Sequence, residues 1–163
     1  MDDLALDLSR RSSSNVSAGG SGIVGGGCAS FPAAVLFAAP SLTALDLSHR
    51  GLLELPDALG CLTRLAYLGV AGNRLTALPT AALARLERLE ELHADDNDLA
   101  AGCSPNNSDN NDTTAAKSFP LPLSCLRPLS RLRVLGLSRN GLRASDLPFG
   151  LATALPELVE LRI

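Results

Sequence analysis

At 163 residues the chain has room for one domain, and with 46% hydrophobic but only 3% aromatic residues its core is expected to be aliphatic. A formal net charge of -3, with Lys117 the only lysine, gives no basic stripe of the kind that nucleic-acid binding shows. The acidic opening lacks the basic-then-apolar start of a secretory signal, and the apolar run Phe31 to Ala39 is nine residues long where a spanning helix needs about 20. Neither nucleic acid nor a membrane is therefore expected as a partner, and the cytoplasm is the expected compartment.

In chain order, the first candidate strand is Ala5-Leu6-Asp7-Leu8-Ser9, identical to Ala44-Leu45-Asp46-Leu47-Ser48, with Arg11 and Arg50 equally placed after them. The step from Leu6 to Leu45 is longer than the repeat period found further along the chain. The surplus falls in the Ser/Gly-rich run SSSNVSAGGSGIVGGGCAS, a flexible-linker composition. Phe31-Pro32 then stands where Leu55-Pro56 stands later. Residues 1–41 read as a degenerate first repeat interrupted by this insert; the alternative is a tail that meets ALDLS by chance.

Residues 42–163 carry the stronger signal. LTALDLSHRGL from Leu42, LAYLGVAGNRL from Leu65, LEELHADDNDL from Leu89 and LRVLGLSRNGL from Leu132 share one pattern, and LVELRI from Leu158 begins a fifth copy. Each fits L-x-x-L-x-L-x-x-N-x-L, with Arg50 in the Asn slot of the first copy. The first three starts are evenly spaced, the interval from Leu89 to Leu132 is almost double, and the interval to Leu158 is near the first ones again. The long interval resolves on the Leu-Pro steps. Leu75 closely precedes Leu78-Pro79, whereas Leu99 is far from the corresponding Leu121-Pro122, and removing the surplus between them restores the ordinary period. The surplus lies in AGCSPNNSDNNDTTAAKSF, at about 101–119, an Asn/Asp/Ser/Thr-rich tract too polar to order itself on a core.

Alternation within each Leu-x-Leu predicts a strand with one face on a core, and no such strand buries its leucines alone. Stacked copies give a parallel sheet with a continuous leucine interior. Asn73, Asn97 and Asn140 suit the turn leaving each strand, because an Asn side chain bonds backbone groups that a turn leaves unpaired. The Leu-Pro steps open the return segments, and AALARLERLEEL (residues 81–92) is predicted to be helical up to the next strand.

With these motifs in place the chain resembles the intracellular leucine-rich repeat proteins of about 23 residues per repeat, those of the Ras-associated and plant Ras-group-related classes. The resemblance covers 42–163 and, more weakly, 4–41. It implies an α/β solenoid, a right-handed superhelix with a parallel sheet on the concave face and short helices or turns on the convex side.

Side chains between the strand leucines alternate away from the core onto that concave face. They include Asp7, Asp46, Ser48, His49, Tyr67, Gly69, Ala71, Glu91, His93, Asp95, Asp96, Val134, Gly136, Ser138, Arg139, Glu160 and Arg162. Tyr67, Glu91, His93, Asp95, Asp96 and Arg139 are the candidate partner-binding set, an acidic centre flanked by arginine with an exposed tyrosine as anchor.

No catalytic or metal site is expected. The acidic run around His93 lacks the glycine and closing glutamate of a calcium loop, one His has no nucleophile beside it, and GGSGIVGGG lacks the Lys-Ser/Thr of a phosphate loop. The four cysteines form no Cys-x-x-Cys pair; Cys61 and Cys125 each precede a repeat leucine and are expected as small buried thiols. Three glycosylation sequons, at Asn15, Asn106 and Asn111, fall in the two polar inserts and read as chance matches.

The function implied is non-catalytic and without cofactor: a scaffold or regulatory adaptor holding another protein. The alternative is the sensor part of a larger kinase, cyclase or phosphatase complex whose catalytic part lies elsewhere. Ile163 ends the sequence inside a strand with no polar cap, so that edge is expected to be covered by a partner or by further repeats.

Overall fold

The computed structural model describes residues 4–7, 41–101, 126–143 and 147–163. The two polar inserts, their sequons, the Leu121-Pro122 step, Cys28, Cys103 and Cys125 lie outside the described residues.

Six strands, β1 (Leu4–Asp7), β2 (Leu42–Asp46), β3 (Tyr67–Gly69), β4 (Glu91–His93), β5 (Val134–Gly136) and β6 (Glu160–Arg162), form one parallel sheet in chain order. Leu45 pairs with Leu68, Leu68 with Leu92, Leu92 with Leu135 and Leu135 with Leu161. These register offsets reproduce the intervals between the repeat starts at Leu42, Leu65, Leu89, Leu132 and Leu158. On the other side of β2, Leu6 pairs with Leu45.

Pleating sends alternate side chains to one side, so β2 to β6 deliver their leucines to a common interior. Leu45, Leu68, Leu92 and Leu135 are fully buried, as is the row Leu47, Val70, Ala94 and Leu137 beside it. Full burial of one such leucine is worth about 1.5–3 kcal/mol. Towards β6 the same repeat positions close less tightly: Leu142, Leu147, Leu158 and Leu161 are only partly buried, and Val159 and Phe149 are exposed.

Asn73, Asn97 and Asn140 tie the repeats together. The Nδ2 of each donates within its own turn, to Val70 O, Ala94 O and Leu137 O, and also backward to the preceding repeat, at Leu47 O (3.0 Å), Val70 O (3.0 Å) and Ala94 O (2.9 Å). Asn73 Oδ1 accepts from the Arg50 and Leu52 amides, so the asparagine of one repeat serves the neighbour that has arginine in that slot. All three are buried with no polar side-chain atom left unpaired, as buried amides require.

The return segments differ from expectation. The helix expected over 81–92 is one turn, α1 (Thr80–Leu83); α2 (Leu151–Ala154) is again one turn, and Asp57–Cys61 is a 3-10 turn. Leucines three apart, rather than three and four, explain it. Leu62, Leu65, Leu86, Leu89, Leu129 and Leu132 each donate to the leucine three residues back, a staircase of 3-10-type bonds that turns every third side chain inward. An α-helix would carry that stripe away from the core by about 60° per step. The prolines act as expected: Pro56 O and Pro79 O accept from the Leu59 and Leu83 amides as the segments open. Cys61 corrects a second expectation, because its thiol is exposed, one step out of phase with buried Leu62.

Candidate functional site

Strand register assembles the face opposite the leucines into columns. Ala44, Tyr67, Glu91, Val134 and Glu160 form one; Asp46, Gly69, His93, Gly136 and Arg162 form the next. Tyr67 and His93 therefore lie diagonally across adjacent strands, within reach of large side chains. Their rings meet at 5.4 Å between centroids, tilted by 40°. His93 Nε2 lies 3.1 Å from Glu91 Oε2 on its own strand, with the His side chain 20% and the Glu side chain 47% exposed. Tyr67, expected as an exposed anchor, is instead half-buried, because His93 and the neighbouring glycine position let its ring lie down along the sheet.

Gly69 makes room for that. A Cβ there would come within 2.8 Å of Asp46 Oδ1 and 3.0 Å of the Tyr67 hydroxyl, so the carboxylate and the phenol converge over the glycine. Asp46 Oδ1 also accepts from the Ser48 amide at 2.8 Å. Asp46 thus belongs beside Tyr67, although sequence reasoning leaves it out of the candidate set. The signal that could have found it is the glycine directly across from it in the repeat register.

The other candidates form a second group where the chain leaves the strands. His49, Gly72, Asp96 and Arg139 occupy one repeat position and all have positive φ, between 53° and 65°. The turn demands this conformation, which Gly adopts freely and side-chain-bearing residues at some cost. Their amides join the strand ladder: that of His49 donates to Ala71 O, that of Gly72 to Asp95 O and that of Asp96 to Ser138 O.

Asp95 and Asp96 both reach to the next repeat. Asp95 Oδ1 accepts from the Ser138 amide at 2.9 Å, and its carboxylate leans into space that a side chain at Gly136 would fill. Arg139 grips Asp96 with one nitrogen on both carboxylate oxygens, at 3.1 and 3.2 Å. At the far strand Arg162 Nε donates to Glu160 Oε1 at 2.6 Å. That hydrogen bond holds the Glu160 carboxyl below its ordinary range and raises Arg162 in turn.

The predicted site residues therefore fall into two groups. Tyr67, Glu91 and His93, joined by Asp46, form a patch over β2 to β4. Asp95, Asp96 and Arg139 spend their polar atoms on the junction between β4 and β5. Among the described residues no three His, Cys, Asp or Glu side chains are arranged to hold a metal ion, and no helix is long and apolar enough to cross a membrane.

Parallel strands in chain order, leucine rows at a fixed repeat and an asparagine ladder define a solenoid of short strand–turn units. No family model and no curated protein matches the chain. A solved leucine-rich repeat protein of Leptospira interrogans is similar to it, with a TM-score of 0.58 and 25% identity over 78% of this chain. The match takes in 26% of that protein, so the chain spans about a quarter of its length. The fold is that of a leucine-rich repeat solenoid.

Proposed function

We propose that this chain is a non-catalytic protein-binding module, a scaffold or regulatory adaptor of the cytoplasm, that holds a partner protein on its concave sheet face. The observation that carries this reading is the patch of Tyr67, His93 and Glu91 with Asp46, set on adjacent rigid strands and partly open to solvent. An aromatic ring with its freedom already restricted by a neighbouring ring loses little entropy on contact, which is what an interface anchor needs. The intracellular classes that share this repeat length are the proposed subtype, and the cytoplasm is the compartment that this subtype implies.

A photo-crosslinkable residue placed in turn at Tyr67 and at convex Arg85 tests the reading in cell extract. We expect a discrete product from position 67 and none from position 85. Glu91→Arg should abolish the product at 67, while charge reversal at exposed Glu87 should leave it. A product from position 85 alone would move the binding surface to the convex side and end the concave reading.

A further inference from the structure

We infer that the patch around Tyr67 is a seat for a cationic side chain, so that the partner class for the concave face is a basic, extended protein segment. This rests on the concave-face reading above and narrows it.

The concave face carries more carboxylates than guanidiniums. Asp46, Glu91, Asp95, Asp96 and Glu160 lie at strand and turn positions of the concave face, against Arg139 and Arg162. Both of those guanidiniums are already committed, Arg139 to Asp96 and Arg162 to Glu160. Arg64, Arg74, Arg85, Arg88, Arg127 and Arg131 emerge elsewhere, all exposed. Arg162 also attracts Glu91 and Asp95, so what remains on the concave face is an excess of carboxylates, two of which, Asp46 and Glu91, flank one aromatic ring.

The placement is what a cation requires. Tyr67 sits between Asp46, whose carboxylate converges with the Tyr67 hydroxyl over Gly69, and Glu91, its register partner on the next strand. Among the described residues Glu91 is ion-paired with His93, which is charged only when protonated, and nearly half of the Glu91 side chain meets solvent. A guanidinium or ammonium above the ring would gain the attraction of the ring face together with charge-assisted hydrogen bonds to the flanking carboxylates. A neutral group would gain neither, and an anion would meet like charges on both sides. Strand pairing fixes the backbone positions from which Asp46, Tyr67 and Glu91 frame the seat.

Fluorescence anisotropy with three labelled nonapeptides tests this on the full chain: one with arginine at alternate positions, one with lysine and one with glutamine, all otherwise Ser/Gly. Amide chemical-shift mapping of the wild-type protein locates the contacts. The expected result is saturable binding of the arginine or lysine peptide, with shifts centred on Tyr67, Gly69 and His93, and no binding of the glutamine peptide. Arginine is the stronger if stacking on Tyr67 contributes, and lysine equals it if charge alone does. Glu91→Gln and Asp46→Asn should each weaken the basic peptide by about tenfold, and moderate salt should weaken it further. Exposed Glu87→Gln should change it less than twofold. If the glutamine peptide maps to the concave face as well as the basic ones do, the cation seat is wrong while concave binding stands. Basic peptides that map to Glu54, Asp57 or Glu87 would overturn both. Absence of binding by either basic peptide would overturn the seat alone, provided the crosslink from position 67 persists.

Discussion

The junction between β3 and β4 and that between β4 and β5 are built to one plan from very different lengths of chain. At the first, Leu68 pairs with Leu92; at the second, Leu92 pairs with Leu135 across nearly twice as much intervening sequence. Both have the same ladder. Val70 N donates to His93 O and Gly72 N to Asp95 O across the one, as Ala94 N donates to Gly136 O and Asp96 N to Ser138 O across the other. Asn97 and Asn140 reach backward in the same manner. Closing the longer connection costs only about 0.5 kcal/mol more, because the entropy grows with the logarithm of length. What sets the register is the fit of each strand's leucine row, and the intervening chain is free to vary. The junctions differ on the solvent side. Where the shorter one has Ala71 and Gly72 opposite Asp95 and Asp96, the longer one has the Asp95–Ser138 and Asp96–Arg139 contacts in addition.

The sharpest way to break both junctions at once is Leu92→Asp. Leu92 is fully buried between Leu68 and Leu135, so a carboxylate there meets no partner and removes a core contact from both sides. Loss of about 4 kcal/mol or more is expected, enough to remove the cooperative urea transition. Glu91→Ala, one residue away on the open face, should stay within about 0.5 kcal/mol. Similar losses for the two would contradict the alternation on which the face is defined.

Deleting Gly102 to Ser118 sharpens the comparison from the other side. It shortens the long connection towards the length of the short one, and stability should change by less than about 1 kcal/mol. Hydrogen exchange at Ala94, Asp96 and Ala100, whose amides bond across the junction, should be unchanged. Faster exchange at these three would mean that the connection helps hold β5 in place.

How much of this is open to reading without the structure depends on whether the cause is local. The leucine rows, the register and the turn asparagines follow from spacing, since each repeat restates the same demand. The return segment over 81–92 misleads because leucines every third residue satisfy both a helical count and a 3-10 staircase, and only the need of Leu83, Leu86 and Leu89 to face one core decides between them. Alternation gives the face on which Tyr67 lies but not its posture, which depends on the absence of a side chain at Gly69 and on His93 one strand away. Asp95, Asp96 and Arg139 look in sequence like one more patch of surface charge. Their contacts span the long interval between repeats, and nothing in the composition distinguishes a charge that faces solvent from one that holds the next repeat.

The smallest effect, and the most discriminating for the longer junction, is at Arg139. Its side chain is 79% exposed and that of Asp96 43%, so their ion pair is largely screened and worth a few tenths of a kcal/mol. Arg139 also holds a φ of 55°, which costs a residue with a Cβ more than it costs glycine. The two contributions separate by substitution. Arg139→Ala removes the ion pair and keeps the backbone cost, so it should destabilise by less than about 0.5 kcal/mol, and by nothing measurable in high salt. Arg139→Gly removes both, restoring at this turn the residue that Gly72 supplies at the equivalent one, and should be more stable than Arg139→Ala by about 0.5–1 kcal/mol. Urea midpoints of the two variants at low and high salt check this. A glycine variant no more stable than the alanine one would mean that the turn is held by its ladder bonds tightly enough to make the residue's own preference irrelevant, and the longer junction would then owe nothing to its turn chemistry.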